Sequence, residues 1–236
     1  MTVLLSVALA GCVSSGGGQP EVDDAQVVES YLNLAKGYVQ EGYTEKALKP
    51  LKRALEVQPR SAEAHSVLGL VYQVQGETSL AEQAFRKALS YEPDSGEINN
   101  NFGAFLFSQN RLDEAYRLFS RAAQDVNYES RSRTYENLGI VTLRQDKRQQ
   151  AEGHFEKALR LNGNLPLARL ELSSLLFEQG RKRDAWRNYQ VFASLSRQNE
   201  RSLTLGVRLA RANGDHSAAA NYALQLERLY PGARKP

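Results

Sequence analysis

The sequence predicts an all-α protein, a right-handed superhelix of about six stacked helical hairpins, from three features that recur together. A small residue returns at one spacing, with a single longer interval in the middle, as Ala47, Ala81, Ala115, Ala151, Ala185 and Ala219. A turn residue stands five positions before each of them, as Gly42, Gly76, Asn110, Asp146, Gly180 and Gly214. A large apolar residue follows four positions after the first five, as Leu51, Phe85, Phe119, Phe155 and Tyr189.

Each recurrence marks one hairpin, in which a first helix, a turn and a second helix follow one another. Apolar residues recur in the first helix at i, i+3 or i+4, and i+7, which is the spacing of one helix face. Glycine inside a helix costs about 1 kcal/mol relative to alanine, yet it returns at one register as Gly69, Gly103 and Gly139. A cost repeated at one register predicts that the second helix approaches the first closely at that point.

The spacing of the alanines is the period of the tetratricopeptide repeat, which is about 34 residues. It predicts six repeats within residues 28–236, at about 28–61, 62–95, 96–129, 132–165, 166–199 and 200–233. The two extra residues between the third and fourth repeats fall within 125–131, where we expect a longer loop. The sixth repeat has Ala223 where a large residue is expected, and terminal repeats often depart from the pattern in this way.

The N-terminus has the pattern of a membrane anchor. Residues 1–11 form a short apolar segment that ends in small residues, as signal peptides do, although its first two residues are not basic. The start codon lies upstream, or the terminal amine supplies the usual positive charge. The string Leu9-Ala10-Gly11-Cys12 resembles the lipobox of bacterial lipoproteins. This resemblance implies cleavage before Cys12, a diacylglycerol and acyl chains such as palmitate on that residue, and a flexible linker over 12–27.

The same resemblance bears on location, because Val13 rather than an aspartate follows the cysteine, which favours the outer membrane. The alternative interpretation is a short hydrophobic N-terminus with a chance cysteine.

The composition offers little for catalysis or metal binding. Cys12 is the single cysteine, and the three histidines, His65, His154 and His216, lie far apart in the sequence. We expect His154 at the surface of a second helix. We find no Ser–His–Asp arrangement, no phosphate-binding loop next to a strand and no metal-ligand spacing in the sequence. We therefore expect no enzyme, no catalytic or metal site, and no cofactor other than the acyl chains on Cys12.

The two halves of the chain differ in charge. Residues 1–118 carry 10 Lys and Arg against 15 Asp and Glu, whereas residues 119–236 carry 20 against 12. Such asymmetry is typical of a basic surface for nucleic acid or anionic lipid, or of a solvated helical surface rich in arginine. The basic residues are spread over many helices, which favours the solvated surface. We expect neither nucleic acid nor a small-molecule substrate as partner.

In tetratricopeptide proteins, ligand contacts usually come from positions 2, 5, 9 and 12 of each repeat, on the concave side of the superhelix. The candidate groove residues at these positions are Leu32, Lys36, Val39, Leu70, Gln73, Asn100, Phe107, Arg133, Ile140, Leu143, Leu170 and Phe177. An apolar groove suits an amphipathic helix or an extended peptide. The alternative is that about half of these residues pack within or between hairpins.

Several strings depart from the generic repeat pattern. They are NNFGAFL at 100–106, NRLDEA at 110–115, YESRSR at 128–133, ENLG at 136–139, SLTLGVRLA at 202–210 and LQLERLYPG at 224–232. These strings resemble the PilF/PilW family of type IV pilus biogenesis lipoproteins, the pilotins of the pilus secretin. The resemblance covers the whole chain.

The resemblance implies a non-catalytic lipoprotein on the periplasmic face of the outer membrane of a Gram-negative bacterium. Such a pilotin binds secretin subunits and promotes their outer-membrane localisation and multimerisation, hence pilus assembly. The alternative is a tetratricopeptide lipoprotein scaffold for another envelope machine, in peptidoglycan synthase regulation or outer-membrane protein assembly.

Overall fold

The computed structural model describes residues 23–232, which form twelve α-helices and no strand. Each odd-numbered helix packs against the even-numbered helix that follows it, giving six hairpins. The helices are α1 Asp24–Gln40, α2 Thr44–Val57, α3 Ala62–Val74, α4 Thr78–Tyr91, α5 Gly96–Ser108, α6 Leu112–Gln124, α7 Arg131–Arg144, α8 Arg148–Leu161, α9 Pro166–Glu178, α10 Lys182–Leu195, α11 Glu200–Ala212 and α12 His216–Leu229. The predicted all-α fold of six tetratricopeptide hairpins is confirmed.

The first helix begins earlier than predicted, so the predicted boundary between linker and repeats at residue 27 is too late. α1 begins at Asp24, and the side chain of Asp23 accepts a hydrogen bond from the backbone N–H of Ala25 at 3.0 Å. An aspartate at this position satisfies one of the free N–H groups of the first helical turn, which starts the helix. The signal peptide and Cys12 lie outside the described residues.

All six predicted turn residues have the left-handed backbone conformation that their turns need. Their φ angles lie between 58° and 81°, in four cases at glycine and in two at Asn110 and Asp146. Glycine adopts this conformation freely, and asparagine and aspartate tolerate it better than other residues. These turns reverse the chain between the two helices of every hairpin.

The loops that enter the odd-numbered helices are held by side chains on those helices. His65 Nε2 lies 3.2 Å from the carbonyl oxygen of Pro59 and donates to it, since a carbonyl can only accept. One repeat later, Asn99 Nδ2 donates to the carbonyl oxygen of Pro93 at 2.8 Å. The loop before α7 is two residues longer than the others, as predicted, and its Asp125 Oδ2 accepts from the backbone N–H of Gly96 at 3.0 Å.

In the second, third and fourth hairpins, the two helices meet where a glycine of the first helix faces the ring of a phenylalanine on the second. A Cβ built on Gly69 would lie 2.8 Å from Cε1 of Phe85, and one on Gly103 would lie 2.9 Å from Cδ1 of Phe119. Both are far closer than carbon atoms pack, which is about 3.5–4.0 Å. The close approach predicted from the repeated glycines is confirmed.

The same two positions are Gly139 and Phe155 in the fourth hairpin and hold other residues in the first, fifth and sixth. In the first hairpin Ala35 stands with Leu51, and in the sixth Val207 stands with Ala223, so a larger first residue goes with a second residue smaller than phenylalanine. The fifth hairpin departs from this rule, because Ser173 stands with Tyr189. The Tyr189 ring extends to the next hairpin, where its Oη would clash with a Cβ built on Gly206.

Candidate functional site

The odd-numbered helices form the inner side of the array. Each has Cα atoms within 8 Å of the next odd-numbered helix, from α1 and α3 to α9 and α11. No even-numbered helix in the described part of the chain comes that close to another even-numbered one. Helices on the inside of a curved stack lie closer together, so the odd-numbered helices line the concave face and the even-numbered helices the convex face.

Ten of the twelve predicted groove residues retain accessible surface. Arg133 is exposed, and the half-buried ones are Lys36, Val39, Leu70, Gln73, Asn100, Phe107, Ile140, Leu143 and Phe177. The prediction is wrong for Leu32 and Leu170, which are 4% and 6% exposed and belong to the core. Both occupy position 5 of their repeats, where the polar residues Asn100 and Glu136 are half-buried and these two leucines are fully buried.

Position 5 also links neighbouring repeats by hydrogen bonds. Asn100 Oδ1 accepts from Thr134 Oγ1 at 3.3 Å and from Asn137 Nδ2 at 3.2 Å, both on α7. One repeat later, Glu136 accepts from the backbone N–H of Ala168 at 2.8 Å, at the start of α9. Burial raises the pKa of the Glu136 carboxyl, and this hydrogen bond opposes the rise. Asn100 and Glu136 therefore hold successive repeats together.

An apolar row remains accessible on the concave face, made of Phe107, Ile140, Leu143 and Phe177 from α5, α7 and α9. All four are half-buried and packed against the main core. The guanidinium of Arg144 lies 5.5 Å from the ring centre of Phe107. A second guanidinium, from α11, covers Phe177 in the same way at 5.1 Å. We call these four residues the concave apolar row.

The charge of the concave face changes from one end to the other. Position 2 holds Glu29, Glu63 and Glu97 in the first three repeats, and Arg133 and Arg201 in the fourth and sixth. The second of these glutamates forms an ion pair with Lys36 of α1. The face is therefore acidic over the first three repeats and basic at its C-terminal end.

A charged pair joins α9 and α11 at the basic end. Arg201 donates to both carboxylate oxygens of Glu171, at 2.5 and 2.7 Å, and Glu171 is only 7% exposed. The hydrogen bond to this carboxylate raises the pKa of Arg201. A cavity of about 550 Å³ opens beside this pair, where Thr204, Arg208 and Tyr230 are among its lining residues.

The convex face has an apolar cavity that the sequence analysis did not find. It measures about 470 Å³ between α2 and α3, where Leu48, Leu55, Leu68 and Tyr72 line it. The available signal was the leucine row of α2 at i, i+3 and i+7, with Leu51 as its middle member. We call it the α2–α3 cavity.

His154 of α8 lies beside two tyrosine rings. Contrary to the expectation of a surface position, it is half-buried, with its ring centre 6.0 Å from that of Tyr116 and 6.4 Å from that of Tyr135. Burial, and to a lesser degree Lys157, lowers its pKa. No group of three His, Cys, Asp or Glu residues in the described chain is placed to hold a metal ion. None of the described helices is long and apolar enough to cross a bilayer.

Family models of the tetratricopeptide repeat match much of the chain. Family models described as tetratricopeptide repeat match residues 94–163 and 62–95, and one described as TPR repeat matches 35–76. Together these matches run from α1 to the end of α8.

Two relatives match nearly the whole chain. The chain is 44% identical over 236 residues to the type IV pilus assembly protein PilF of Pseudomonas aeruginosa, which covers 99% of this chain and 94% of that protein. A solved structure of Pseudomonas aeruginosa PilF has a TM-score of 0.86 at 45% identity, covering 89% of this chain and 94% of the other. PilW, a widely conserved type IV pilus biogenesis factor, has a TM-score of 0.75 at 30% identity, covering 89% and 96%.

Proposed function

The chain belongs to the PilF/PilW family of type IV pilus biogenesis factors, and from that premise we propose that it is a pilotin. In this proposal it is an outer-membrane lipoprotein that binds secretin subunits and promotes their localisation and multimerisation, and it acts by binding rather than catalysis. Support comes from 44% identity to PilF along 99% of the chain. It also comes from the tetratricopeptide fold, whose stacked repeats present extended binding surfaces.

The membrane half of the proposal rests on Cys12. Several acyl chains on one residue anchor a protein stably, where a single chain binds only marginally. Between Cys12 and the start of α1 at Asp24 lie eleven residues, rich in Ser and Gly up to Gly18. The proposal treats these residues as the linker that the lipobox resemblance implies, and a Gly- and Ser-rich linker of that length has an end-to-end distance of about 18 Å. The repeats would then work close to the membrane surface.

The binding half of the proposal uses the concave apolar row. The single observation that supports it is four large apolar side chains on three successive odd-numbered helices, each with accessible surface. A secretin segment with apolar anchors at helical or strand spacing fits such a row. The arginines over Phe107 and Phe177 would offer charged hydrogen bonds to its flanking carboxylates.

The function is tested in a strain that lacks this protein. Membranes are fractionated, and the secretin is followed on a gel that preserves its multimers. We expect secretin that stays monomeric or remains in the inner membrane, with surface pili lost. A Cys12→Ala chain should fold and bind but fail to move the secretin outward. Normal secretin assembly in the deletion strain would overturn the pilotin proposal and leave a scaffold for another envelope machine.

The binding surface is tested by Phe107→Asp. Its helix content should persist, because Phe107 is only half-buried and Arg144 lies close enough to pair with the new carboxylate. Secretin capture by the purified chain should be lost. Leu224→Asp is the matched control, since Leu224 is 66% exposed on α12 and away from the row. Retained capture by Phe107→Asp, with loss by a Leu55→Asp variant, would move the site to the α2–α3 cavity.

A further inference from the structure

A second cleft on the convex face differs in chemistry from every surface described so far. No Cα atom of α4 lies within 8 Å of one in α6, so α5 forms the floor between them. The cleft measures about 650 Å³, within the range of about 300–1,000 Å³ typical of ligand sites. We call it the α4–α6 cleft.

The floor of the α4–α6 cleft is apolar. Phe102 and Leu106 of α5 lie at its base and belong to the core, at 4% and 2% exposed. Leu89 of α4 and Leu118 of α6 form its walls and are half-buried. When a partner covers apolar walls that remain partly accessible, the burial of that surface favours binding.

The rim of the cleft is basic. Arg117 and Arg121 stand one turn apart on α6, both exposed, and neither has a carboxylate within 4 Å among the described residues. The one acid of the lining, Glu114, is held by Arg111 at 2.7 Å through both carboxylate oxygens. The remaining arginine, Arg86 of α4, is paired with a glutamate of its own helix. The hydrogen bond from Arg111 lowers the pKa of Glu114, and Arg117 is near enough to add to this effect. Among the described residues, Arg117 and Arg121 form no ion pair, and both guanidinium groups therefore remain available to a partner.

The α2–α3 cavity shows what this rim adds. One repeat earlier in the sequence, Lys52 and Leu55 occupy the positions that Arg86 and Leu89 occupy here. The lining of the α2–α3 cavity contains one lysine and one glutamate, so it carries no net charge. Both sites are lined largely by apolar surface. The α4–α6 cleft differs in having the arginine pair Arg117 and Arg121 on its rim.

We propose that the α4–α6 cleft docks an acidic amphipathic helix of a protein partner. Apolar side chains at i, i+3 or i+4, and i+7 of that helix would cover Leu89 and Leu118. Its carboxylates would pair with Arg117 and Arg121, whose planar guanidinium groups suit two-point binding of a carboxylate. The site is independent of the proposed secretin site, because no residue of the cleft belongs to the predicted groove.

The test uses the chain from residue 12 onward with Cys12→Ser, which keeps every described residue. The probe is a fluorescent 18-residue peptide with leucine at i, i+3, i+4 and i+7 and glutamate on the opposite face. Fluorescence anisotropy gives its Kd, and a peptide with lysine for each glutamate is measured beside it. We expect the acidic peptide to bind, more weakly at higher salt because exposed charges are screened, and the basic peptide to bind at least tenfold more weakly.

Three variants locate the binding. Arg117→Glu with Arg121→Glu should raise the Kd of the acidic peptide at least tenfold. Arg183→Glu with Arg187→Glu makes the same charge change at the same spacing on α10, where both arginines are exposed, and should change the Kd less than twofold. Ser120→Trp fills the cleft from its lining without changing charge and should also weaken binding. Circular dichroism checks that each variant is folded.

Several outcomes would overturn the proposal. They are an acidic peptide that does not bind, a basic peptide that binds equally well, and equal losses in the α6 and α10 double variants. Vesicles containing phosphatidylglycerol are the competing probe. If they bind the parent chain and not the α6 double variant, while the acidic peptide does not bind at all, the arginines recognise lipid headgroups and the protein-docking proposal is wrong.

Discussion

Gly103 of α5 and Phe119 of α6 are matched in size, because the Phe119 ring occupies the space that a larger residue at 103 would need. A Cβ on Gly103 would lie 2.9 Å from Cδ1 and from Cε1 of this ring. The same relationship joins Gly69 to Phe85 two helices earlier. The distance between the two helices of these hairpins is therefore set by a ring lying directly against backbone.

Gly103→Leu should destabilise the fold. Overpacking a well-filled interior costs about 1–3 kcal/mol, and each kcal/mol lowers the Tm of a chain of this size by about 2–4 °C. Thermal unfolding followed by circular dichroism measures the shift. Gly37→Leu on α1 is the control, since nothing lies within 4 Å of a Cβ built at Gly37. Its Tm should stay level or rise, and an equal fall in both variants would contradict the size match.

A compensating change should restore much of the lost stability. The first hairpin uses Ala35 and Leu51 at the positions of Gly103 and Phe119. Gly103→Ala and Phe119→Leu should each lower the Tm, whereas the double variant should lose less than the sum of the two. Contacting residues commonly show interaction energies of about 0.5–3 kcal/mol in such cycles. Strict additivity would show that the two residues do not share one space.

Loss of Arg201 should destabilise the C-terminal repeats through Glu171. Arg201→Ala leaves a carboxylate that is only 7% exposed without its partner, which costs about 1–3 kcal/mol, toward the low end because Arg201 itself is largely exposed. Adding Glu171→Gln removes the unpaired charge and should recover part of the Tm. Arg53→Ala breaks an exposed pair with Glu56 and should leave the Tm unchanged. No recovery on adding Glu171→Gln would contradict a buried-charge penalty.

Stability should fall as the pH drops below about 6.5. Burial lowers the pKa of His65 and of His154 in the folded state, while the unfolded chain keeps a value of about 6.5. The unfolded state then binds more protons as the pH falls, so the free energy of unfolding decreases. The contribution of the two histidines to stability is at its full value above a pH of about 6.5. It is lost as the pH falls through their lower pKa values in the folded state.

A double variant isolates this effect. His65→Asn should keep the bond to Pro59, because Asn99 makes the equivalent bond one repeat later, and His154→Phe keeps an aromatic ring near Tyr135. Denaturant unfolding between pH 5 and 7 should then show a flatter dependence than in the parent chain. An unchanged slope would assign the acid sensitivity to carboxylates instead.

The turn residues, and the pairing of a glycine in the first helix with a large residue in the second, could be predicted from the sequence. Both patterns lie within one repeat. A left-handed turn needs glycine, asparagine or aspartate wherever the chain reverses, and all six predicted positions have that conformation. The glycines at one helical register likewise indicate a close helix contact. The start of α1 was missed because Asp23 and Asp24 are as common in polar linkers as at helix starts, and the structure shows Asp23 accepting from the backbone N–H of Ala25 and of Val27.

The sequence by itself determined the period, the six hairpins, the helix contacts at Gly69 and Gly103, and the family, since each depends on residues within one repeat or on strings of neighbours. Only the tertiary structure decided which groove positions are accessible. Leu32 and Leu170 are buried because position 5 meets the neighbouring repeat, a whole period away in sequence. The α4–α6 cleft likewise depends on the distance between two helices that do not touch, and repeat spacing alone does not contain that distance.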